Sequence, residues 1–362
     1  MSRFHDLRVA EVRPETANAK VVTFDIPAEL KDLYRYVPGQ YLTVEVELNG
    51  EKYRRAYSIC TSYLAGEPLG IGVKRVDDGV VSTYINARLF AGSTLRVMTP
   101  MGNFIHQPDS ALRKQYVFFG GGSGITPLMS LLKSTLLGEP MSRITLIYCN
   151  RNIESIMFRA ELENWVNRYP DRLKVIHNLD LAPAGWGGHS GMFSKAVALS
   201  FLNQYVQGEA DYYICGPGGM MNEIDAALAE KGVAKQHIFK EFFTAPLQMD
   251  GEIKETIAVS SEGIVSDKPL PHAELVVTID GDQFTITYDG EESLLEAALE
   301  KGLDPPYACQ IGACCTCRAK IKEGKVVMAE RESLSDSEIE EGYVLTCQSK
   351  PLTKKVVYTY DE

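Results

Sequence analysis

The 362-residue sequence contains no run of about 18 uncharged apolar residues, so nothing in it predicts a membrane-spanning helix. The first residues, Met1 to Asp6, lack the apolar core of a secretory signal peptide. No internal repeat or low-complexity tract indicates a repeat architecture. We therefore expect a soluble, cytoplasmic protein of two or three domains that has no membrane partner.

An excess of positive charge is also lacking. The formal net charge is −11, and it is unevenly spread: residues 273–362 carry 18 Asp and Glu against 9 Lys and Arg, whereas residues 1–272 carry 30 against 28. Nucleic acid is therefore not an expected partner. The acidic excess near the C-terminus fits either a solvated surface or a docking face beside a redox centre, and both interpretations stay open.

Cysteine is not scarce, and its arrangement is the most informative feature of the chain. Cys309, Cys314 and Cys317 stand in C-x4-C-x2-C spacing, and Cys347 follows thirty residues later. This is the ligand spacing of a plant-type 2Fe–2S cluster. Gly312, inside the loop, suits a chain that wraps closely around a cluster and directs backbone N–H groups at its sulfurs. The four cysteines are the predicted cluster ligands.

A structural zinc site and a disulfide are the alternatives for clustered cysteines. Zinc ribbons favour two C-x2-C knuckles, and this sequence has only one. The remaining cysteines, Cys60, Cys149, Cys215 and Cys315, follow no disulfide logic, as expected in a reducing compartment. Cys315 stands between predicted ligands and is interpreted as a non-ligand.

Residues 1–108 alternate short β-rich runs with Pro and Gly turns, which predicts a small antiparallel β-barrel. One run ends in Arg55, Ala56, Tyr57 and Ser58. A guanidinium can hold a phosphate, a phenol ring can pack on an aromatic cofactor, and a hydroxyl can bond a ring nitrogen. Taken alone, these residues also fit an ordinary strand edge.

The next segment strengthens the cofactor interpretation. A run that ends at Val73 and Lys74 is followed by a glycine turn, and this turn opens a short helix at Gly79-Val80-Val81-Ser82. A helix N-terminus preceded by glycine is a good anion site, here for the pyrophosphate of a flavin.

These motifs, together with Thr99-Pro100-Met101-Gly102-Asn103-Phe104, resemble the flavin domain of the ferredoxin–NADP reductase family. The resemblance implies FAD, although some reductases with this domain set use FMN. It also implies that Arg55 holds the flavin phosphate, that Tyr57 packs on the isoalloxazine and that Ser58 approaches the reactive ring nitrogen. The further predicted flavin contacts are Val73, Lys74, Gly79, Val80, Val81 and Ser82.

Residues 109–246 alternate strands and helices, which predicts a doubly wound parallel sheet of roughly five strands. The strand Tyr116–Phe119 runs into a glycine-rich loop and an apolar helix, an arrangement that cradles phosphates, although its spacing is not that of the Rossmann fingerprint. In the reductase family this loop faces the dinucleotide phosphates. The loop residues predicted to bind the nucleotide are Gly121, Gly122, Ser123, Gly124 and Thr126.

A second glycine turn, Cys215-Gly216-Pro217, lies at the carboxyl end of a strand, where open α/β sheets bind ligands. It could equally be only the turn before a helix that begins at Met220. The resemblance places Cys215 at the nicotinamide, so Cys215 is predicted to shape the hydride-transfer pocket with Tyr57 and Ser58. Gly216, Pro217 and Met220 are further predicted nucleotide contacts.

The segment Phe239–Phe243 resembles the closing strand of the same family, whose Glu and aromatic side chains lie beside the flavin ring. Either Phe242 or Phe243 is predicted to cover the ring, and Phe243 is the candidate for the site.

The type of nucleotide is predicted from the residues that follow the strand Ile144–Cys149. NAD sites usually place an Asp or Glu there to bond the ribose 2′-hydroxyl. Here Arg151 occupies this region, and the nearest acid in the sequence is Glu154. Arg151 therefore predicts recognition of a 2′-phosphate and NADPH as the donor, with NADH possible; the alternative is an exposed loop arginine.

Residues 247–272 have the composition of a linker, with one short strand predicted at Thr256–Val259. Residues 273–362 predict an α+β ferredoxin domain of the β-grasp type. Its predicted elements are a hairpin, a helix capped by Ser293, the cysteine loop, a hairpin-like Ala319–Met328 and a short helix at Ser335–Glu341.

Three domains in this order resemble the reductase subunits of multicomponent oxygenases, particularly those of ring-epoxidising monooxygenases. The resemblance implies that electrons pass from NAD(P)H through the flavin and the cluster to an oxygenase component. A nicotinamide gives up electrons only as a pair and the cluster takes them singly, so a flavin is needed between them. The alternatives are a stand-alone reductase for another metalloprotein or small acceptors, and a redox-sensing binding module.

Overall fold

The computed structural model describes residues 4–243, 255–258 and 268–362. The chain divides into two compact units, Phe4–Phe243 and Thr244–Glu362, and each is described by itself. No helix in the described ranges combines the length and the apolar character needed to cross a bilayer.

The first part of Phe4–Phe243 is an antiparallel sheet of six strands in the order β4-β3-β6-β1-β2-β5. The strands are β1 (Phe4–Thr16), β2 (Ala19–Asp25), β3 (Tyr41–Leu48), β4 (Glu51–Ser58), β5 (Gly70–Lys74) and β6 (Thr94–Met98). A bridge between Ile59 and Ile71 joins the chain after β4 to β5 and closes the sheet. The predicted antiparallel β-barrel is confirmed.

Helix α1 (Val80–Arg88) directly follows β5 and buries Val81 and Ile85 against the barrel core. Its opposite face is polar or exposed, so packing and not intrinsic helix propensity holds it in place. The helix therefore presents its N-terminal end at the same edge of the barrel as Lys74, the last residue of β5.

The second part is a parallel sheet of six strands in the order β10-β9-β8-β7-β11-β12, with helices between them. Its elements are β7 (Gln115–Gly121), α2 (Ile125–Gly138), β8 (Arg143–Asn150), α3 (Arg159–Arg168), β9 (Leu173–Leu179), β10 (His189–Ser190), α4 (Lys195–Tyr205), β11 (Asp211–Cys215), α5 (Gly218–Glu230) and β12 (Ile238–Glu241). The predicted parallel sheet is confirmed. Helix α4 was not predicted, although Ser194, whose hydroxyl accepts from the Val197 N–H, is an N-cap signal.

Helix α2 joins the barrel to the parallel sheet. The Ser130 hydroxyl donates to the Thr61 carbonyl at 2.8 Å, and the buried Lys133 ammonium lies 2.7 Å from Glu67 and 3.0 Å from Glu161. Burial alone would lower the pKa of Lys133, but the two carboxylates reverse the shift. Residues of both parts share one apolar core with α2, so the barrel and the parallel sheet pack together through this helix.

The unit Thr244–Glu362 contains a five-stranded sheet in the order β15-β14-β20-β16-β18 and a three-stranded sheet in the order β13-β17-β19. Its elements are β13 (Glu255–Ala258), β14 (Ala273–Ile279), β15 (Asp282–Tyr288), α6 (Leu294–Glu300), β16 (Arg318–Glu323), β17 (Lys325–Met328), α7 (Asp336–Glu340), β18 (Tyr343–Leu345), β19 (Ser349–Pro351) and β20 (Lys355–Thr359). Capping boxes at Ser293 and Ser335 begin the two helices, close to the predicted positions.

The predicted hairpin over Ala319–Met328 is wrong. Both strands exist, but β16 pairs with β18 and β20, whereas β17 pairs with β13 and β19. The chain leaves one sheet for the other at Gly324, which has a φ of +91° and whose Cβ, if present, would lie 2.3 Å from the Lys355 carbonyl oxygen. Only glycine fits this turn, and the turn separates the strands that it connects.

The predicted linker, residues 247–272, lies mostly outside the described residues. Its described part includes β13, which pairs antiparallel with β17 and begins one residue before the predicted strand at Thr256–Val259.

Candidate functional site

Three polar side chains meet where the barrel faces the parallel sheet. The Ser58 hydroxyl, at the end of β4, donates to Glu241 Oε2 at 3.0 Å. Glu241 stands directly opposite Cys215 in the parallel pairing of β12 with β11. Burial raises the pKa of Glu241 to about 8, and burial together with the nearby Glu241 raises the pKa of Cys215 well above its usual value. At neutral pH this corner therefore holds a protonated carboxyl and a protonated thiol.

Glu241 is the Glu of the segment that resembles the closing strand, which the resemblance places beside the flavin ring, but it was not included among the predicted site residues. The available signal was an acid at the carboxyl end of a strand, where open α/β sheets bind ligands. Of the two following aromatics, Phe242 packs against the core below the sheet. Phe243 is 39% exposed and is the ring that remains accessible.

The predicted residues of β4 lie beside this corner. The Tyr57 ring packs on the barrel core, and burial raises the pKa of its phenol, an effect that Arg55 partly offsets. The Arg55 side chain is exposed, with Nη1 donating to the Arg54 carbonyl at 2.7 Å. The neighbouring Arg54 is buried and bound to Glu45 at 2.6 Å, so Arg55 is the arginine of this pair that can reach a phosphate.

The N-terminus of α1 fits the predicted pyrophosphate. No side chain caps the helix at Gly79, so the first N–H groups of the helix are not used by a cap. The Ser82 hydroxyl closes the preceding loop instead, since it accepts from the Val76 N–H at 3.1 Å and donates to the Gly79 carbonyl at 3.2 Å. A Cβ at Gly79 would lie 2.6 Å from this hydroxyl, which explains the glycine.

The two glycine turns of the nucleotide domain pack against each other. A Cβ at Gly121 would lie 2.5 Å from Pro217 Cδ, and a Cβ at Gly124 would lie 2.1 Å from the Cys215 carbonyl oxygen. A Cβ at Gly216 would lie 2.4 Å from the Met220 side chain. These glycines are therefore needed for the close approach of the two loops, in addition to any contact with a phosphate.

Thr126 braces the first of these turns. Its hydroxyl donates to the Ser123 carbonyl at 3.0 Å, and its methyl group occupies the space that a Cβ at Gly72, in β5, would enter. The structure therefore gives Thr126 a supporting position between the loop and the barrel.

A cavity of about 520 Å³ opens in front of the glycine turns. Six of the predicted contacts line it together: Lys74, Gly121, Gly122, Arg151, Pro217 and Met220. The acidic side chains that line the cavity are Asp180 and Glu223. Glu154, the acid nearest to Arg151 in the sequence, is not among the lining residues, so the acid beside Arg151 was predicted incorrectly. Asp180 follows β9, so it is distant from Arg151 in the sequence and near it in space.

The four predicted cluster ligands come together as two pairs. Cys309 lies beside Cys314, whose thiol lowers the pKa of Cys309 to about 6, and Cys347 lies beside Cys317, whose thiol lowers the pKa of Cys347. Among the described residues, no set of three or more His, Cys, Asp or Glu side chains is arranged to hold a single metal ion. Two thiols for each of two irons is the ligand arrangement of a 2Fe–2S cluster.

N–H groups of the backbone and of a side chain lie close to the sulfurs of Cys309 and Cys347. The Ile311 N–H lies 3.5 Å from Cys309 Sγ, and Gln348 Nε2 lies 3.5 Å from Cys347 Sγ. Gly312 has a φ of +75°, which a side chain would strain. These donors suit thiolates that carry charge, so the loop fits an iron–sulfur cluster.

Cys315 is directed elsewhere. Its thiol donates to the Ser333 carbonyl at 2.6 Å and is buried in the apolar core of this unit. The structure therefore places Cys315 apart from the two thiol pairs.

Comparison with known proteins agrees with this division of the chain. Residues 6–106 match the oxidoreductase FAD-binding domain family, residues 118–226 the oxidoreductase NAD-binding domain family, and residues 277–352 the 2Fe-2S iron-sulfur cluster binding domain family. Iron–sulfur, flavin and nicotinamide binding are thereby confirmed as properties of the chain.

Relatives of known function extend over the whole chain. It is 38% identical to one of the subunits of 1,2-phenylacetyl-CoA epoxidase from Escherichia coli (strain K12), with 100% of this chain and 99% of the relative covered. It is 33% identical to the ferredoxin reductase component of 3-ketosteroid-9-alpha-monooxygenase from Rhodococcus rhodochrous, with 97% and 95% covered. The solved structure of phthalate dioxygenase reductase shares the fold, with a TM-score of 0.57, 21% identity and 98% of both chains covered.

The protein is thus an NAD(P)H-dependent oxidoreductase that uses a flavin and a 2Fe–2S cluster. Within that class, it belongs to the family of oxygenase reductase components that carry the FAD-binding, NAD-binding and 2Fe–2S domains in one chain.

Glu241 is expected to make the stability of the protein depend on pH. Because its folded pKa of about 8 lies above the usual 4.5, the folded protein holds a proton that the unfolded chain releases. This contribution to stability is complete below pH 4.5 and is lost as the pH rises through 8. Thermal denaturation from about pH 5 to 9 should show the loss in the wild type and not in Glu241→Gln. The same decline in both proteins would assign it to another group.

Proposed function

We propose that this protein is the reductase component of a phenylacetyl-CoA epoxidase, taking a hydride from NADPH and delivering single electrons to the oxygenase component. The observation that carries the proposal is 38% identity over the full length of a phenylacetyl-CoA epoxidase subunit, with all three domains present. We further propose the domain bounds 1–108, 109–246 and 273–362, with a linker at 247–272.

When bound, FAD accepts a hydride and passes its electrons on one at a time. Arg55 and the N-terminus of α1 would hold the flavin diphosphate, and Tyr57 would pack on the ring. Glu241 is protonated and its Oε2 accepts the hydrogen bond from the Ser58 hydroxyl, next to the Cys215 thiol, so this wall of the cleft is polar and uncharged. An uncharged wall accommodates a hydride donor without attracting water or an ion.

The proposal is tested by reconstitution. The purified protein is mixed with the oxygenase components of a phenylacetyl-CoA epoxidase, phenylacetyl-CoA and NADPH, and epoxide formation is followed. Product should form only when all components are present. Product formation with the oxygenase of a 3-ketosteroid monooxygenase and none with the epoxidase would reject this acceptor. Dye reduction without coupling to any oxygenase would favour a stand-alone reductase.

NADPH preference is proposed to depend on Arg151, which is exposed at the rim of the cavity. Arg151→Ala should raise the KM for NADPH and leave the KM for NADH almost unchanged. The expected loss of binding free energy for NADPH is about 1.5–3 kcal/mol, the value of a hydrogen bond to a charged group. Arg168→Ala, on the outer face of α3, is the matched control. Asp180 is the competing group, so a wild-type preference for NADH that disappears in Asp180→Asn would contradict the assignment.

The acidic surface near the cluster is proposed to guide the oxygenase component. Glu332 is exposed and precedes Ser333, whose hydroxyl donates to the Gly312 and Cys314 carbonyls of the cluster loop. Electrostatic steering raises association rates by about 10- to 1,000-fold at low salt.

Glu332→Lys should therefore slow electron transfer to the partner at low ionic strength, and the difference should shrink as salt is added. Asp282→Lys, on the edge strand β15 and outside the cluster loop, has the same change of charge and should have little effect. Equal effects of both variants, or a turnover rate that does not change with salt, would show that the acidic surface is only solvated and does not guide the partner.

A further inference from the structure

Asn150, the last residue of β8, is a buried polar residue for which the fold supplies no partner. Asn150 is 5% exposed, and neither its amide oxygen nor its amide nitrogen makes a hydrogen bond of ordinary geometry to any described residue. Buried amides are almost always hydrogen-bonded, because losing water without replacement costs free energy. Two unsatisfied atoms on one side chain therefore indicate a missing ligand.

The position of Asn150 identifies the side from which a ligand would approach. Asn150 lines the cavity in front of the glycine turns. It lies two residues after Tyr148 on the same face of β8, and the Tyr148 hydroxyl donates to the Gly122 carbonyl of the glycine loop at 3.0 Å. Burial raises the pKa of the Tyr148 phenol and the nearby Asn150 amide partly offsets this, so the two side chains are polar neighbours, but the Tyr148 proton is donated to Gly122 and its oxygen makes no hydrogen bond of ordinary geometry with the amide. The Asn150 main chain is also satisfied, since its carbonyl accepts from the Asp180 N–H at 3.0 Å.

Among the described residues, the two other side chains with buried unpartnered atoms, Thr135 and His177, do not line this cavity, so the cavity distinguishes Asn150 from them. Thr135 lies inside α2, and His177 lies inside β9.

The chemistry of an amide narrows the ligand. In doubly wound folds, the dinucleotide phosphates lie on the glycine loop after the first strand, and the adenosine ribose lies at the end of the next strand. Here those strands are β7 and β8, and Asn150 ends β8. Ribose hydroxyls both donate and accept, and an amide offers one acceptor oxygen and two donor hydrogens. A carboxylate at the same place would only accept, and it would repel a 2′-phosphate.

We propose that the Asn150 amide hydrogen-bonds the adenosine ribose of the nicotinamide nucleotide. As an uncharged group it holds NADH and NADPH alike, and Arg151 is left to select the 2′-phosphate. This inference rests on the proposed use of NAD(P)H and adds Asn150 as a positioning residue for that substrate.

Asn150→Leu tests the proposal because it removes the amide while keeping the number and branching of the side-chain heavy atoms. Titration of the flavin- and cluster-loaded protein with NADP⁺ and NAD⁺ should show both dissociation constants raised about tenfold, the loss of one net hydrogen bond. The KM values for NADPH and NADH should rise with them, kcat should hold, and the flavin and cluster absorbance should not change. The thermal midpoint without nucleotide should stay the same or rise, because an unsatisfied buried amide has been removed.

Thr135→Val is the matched control. It also removes a buried hydrogen-bonding group without a partner, but from the interior of α2, so it should leave both dissociation constants unchanged. Asn150→Asp adds a second test, since the carboxylate accepts from ribose hydroxyls and should weaken NADPH more than NADH.

Unchanged nucleotide binding in Asn150→Leu would overturn the assignment, and so would a lowered thermal midpoint without nucleotide, which would show a structural role. Equal weakening of both nucleotides in Asn150→Asp would also contradict it. A wild-type protein that does not oxidise NAD(P)H would instead reject the proposed function itself.

Discussion

Replacing Cys309 or Cys347 with serine is expected to abolish the 2Fe–2S cluster and electron delivery to the oxygenase component. Serine offers a hard oxygen that stays protonated where iron prefers a soft thiolate. Reduction of a dye by NAD(P)H should continue, because the flavin and nucleotide domains form the separate compact unit Phe4–Phe243. Visible absorbance, iron content and the two activities check the result.

Cys315→Ser is the matched control for the cluster. The Cys315 thiol donates to the Ser333 carbonyl in the core and belongs to neither thiol pair, so its loss should leave the cluster spectrum intact. Bleaching by Cys315→Ser but not by Cys314→Ser would show that the ligands have been assigned incorrectly.

Gly124→Ala is expected to reduce hydride transfer from NAD(P)H to the flavin by about 100-fold, the usual effect of a displacement of roughly 1 Å at a reacting centre. The added Cβ would lie 2.1 Å from the Cys215 carbonyl oxygen and 2.8 Å from the Gly216 nitrogen. Both contacts are with backbone, so the turn that carries Cys215 must move. Stopped-flow reduction of the flavin measures the effect directly.

Gly219→Ala serves as the control for this substitution. Gly219 lies near the same turn, but no atom is within 4 Å of the position that its Cβ would take. In Gly219→Ala, hydride transfer to the flavin should therefore proceed at nearly the wild-type rate. Comparable losses in both variants would show that the close packing of the two turns does not position the site.

Local patterns predicted well wherever a short stretch of chain determines the chemistry. The cysteine spacing predicted the iron–sulfur cluster, because three ligands lie within one loop and their separation is a property of the sequence. The capping boxes at Ser293 and Ser335 predicted helices for the same reason, since each connects groups only three residues apart. The order of the three domains also followed from patterns within each segment.

The predictions that were wrong concern contacts between residues that are distant in the sequence. The strands β16 and β17 are adjacent in sequence and have the length of a hairpin, yet each pairs with strands from elsewhere in the chain. Asp180 lines the cavity with Arg151 because β8 and β9 are neighbours in the sheet, a relation that is not written in the spacing of the two residues.

The sequence by itself therefore determined which cofactors this protein carries and which segment binds each of them. Tertiary structure alone decided that Ser58 and Glu241 form one polar corner, since they are 183 residues apart and meet at 3.0 Å. It also decided the protonation of that corner, because the raised pKa of Glu241 arises from burial by surrounding elements. Burial and pairing depend on which elements pack together, and no local pattern of residues contains that information.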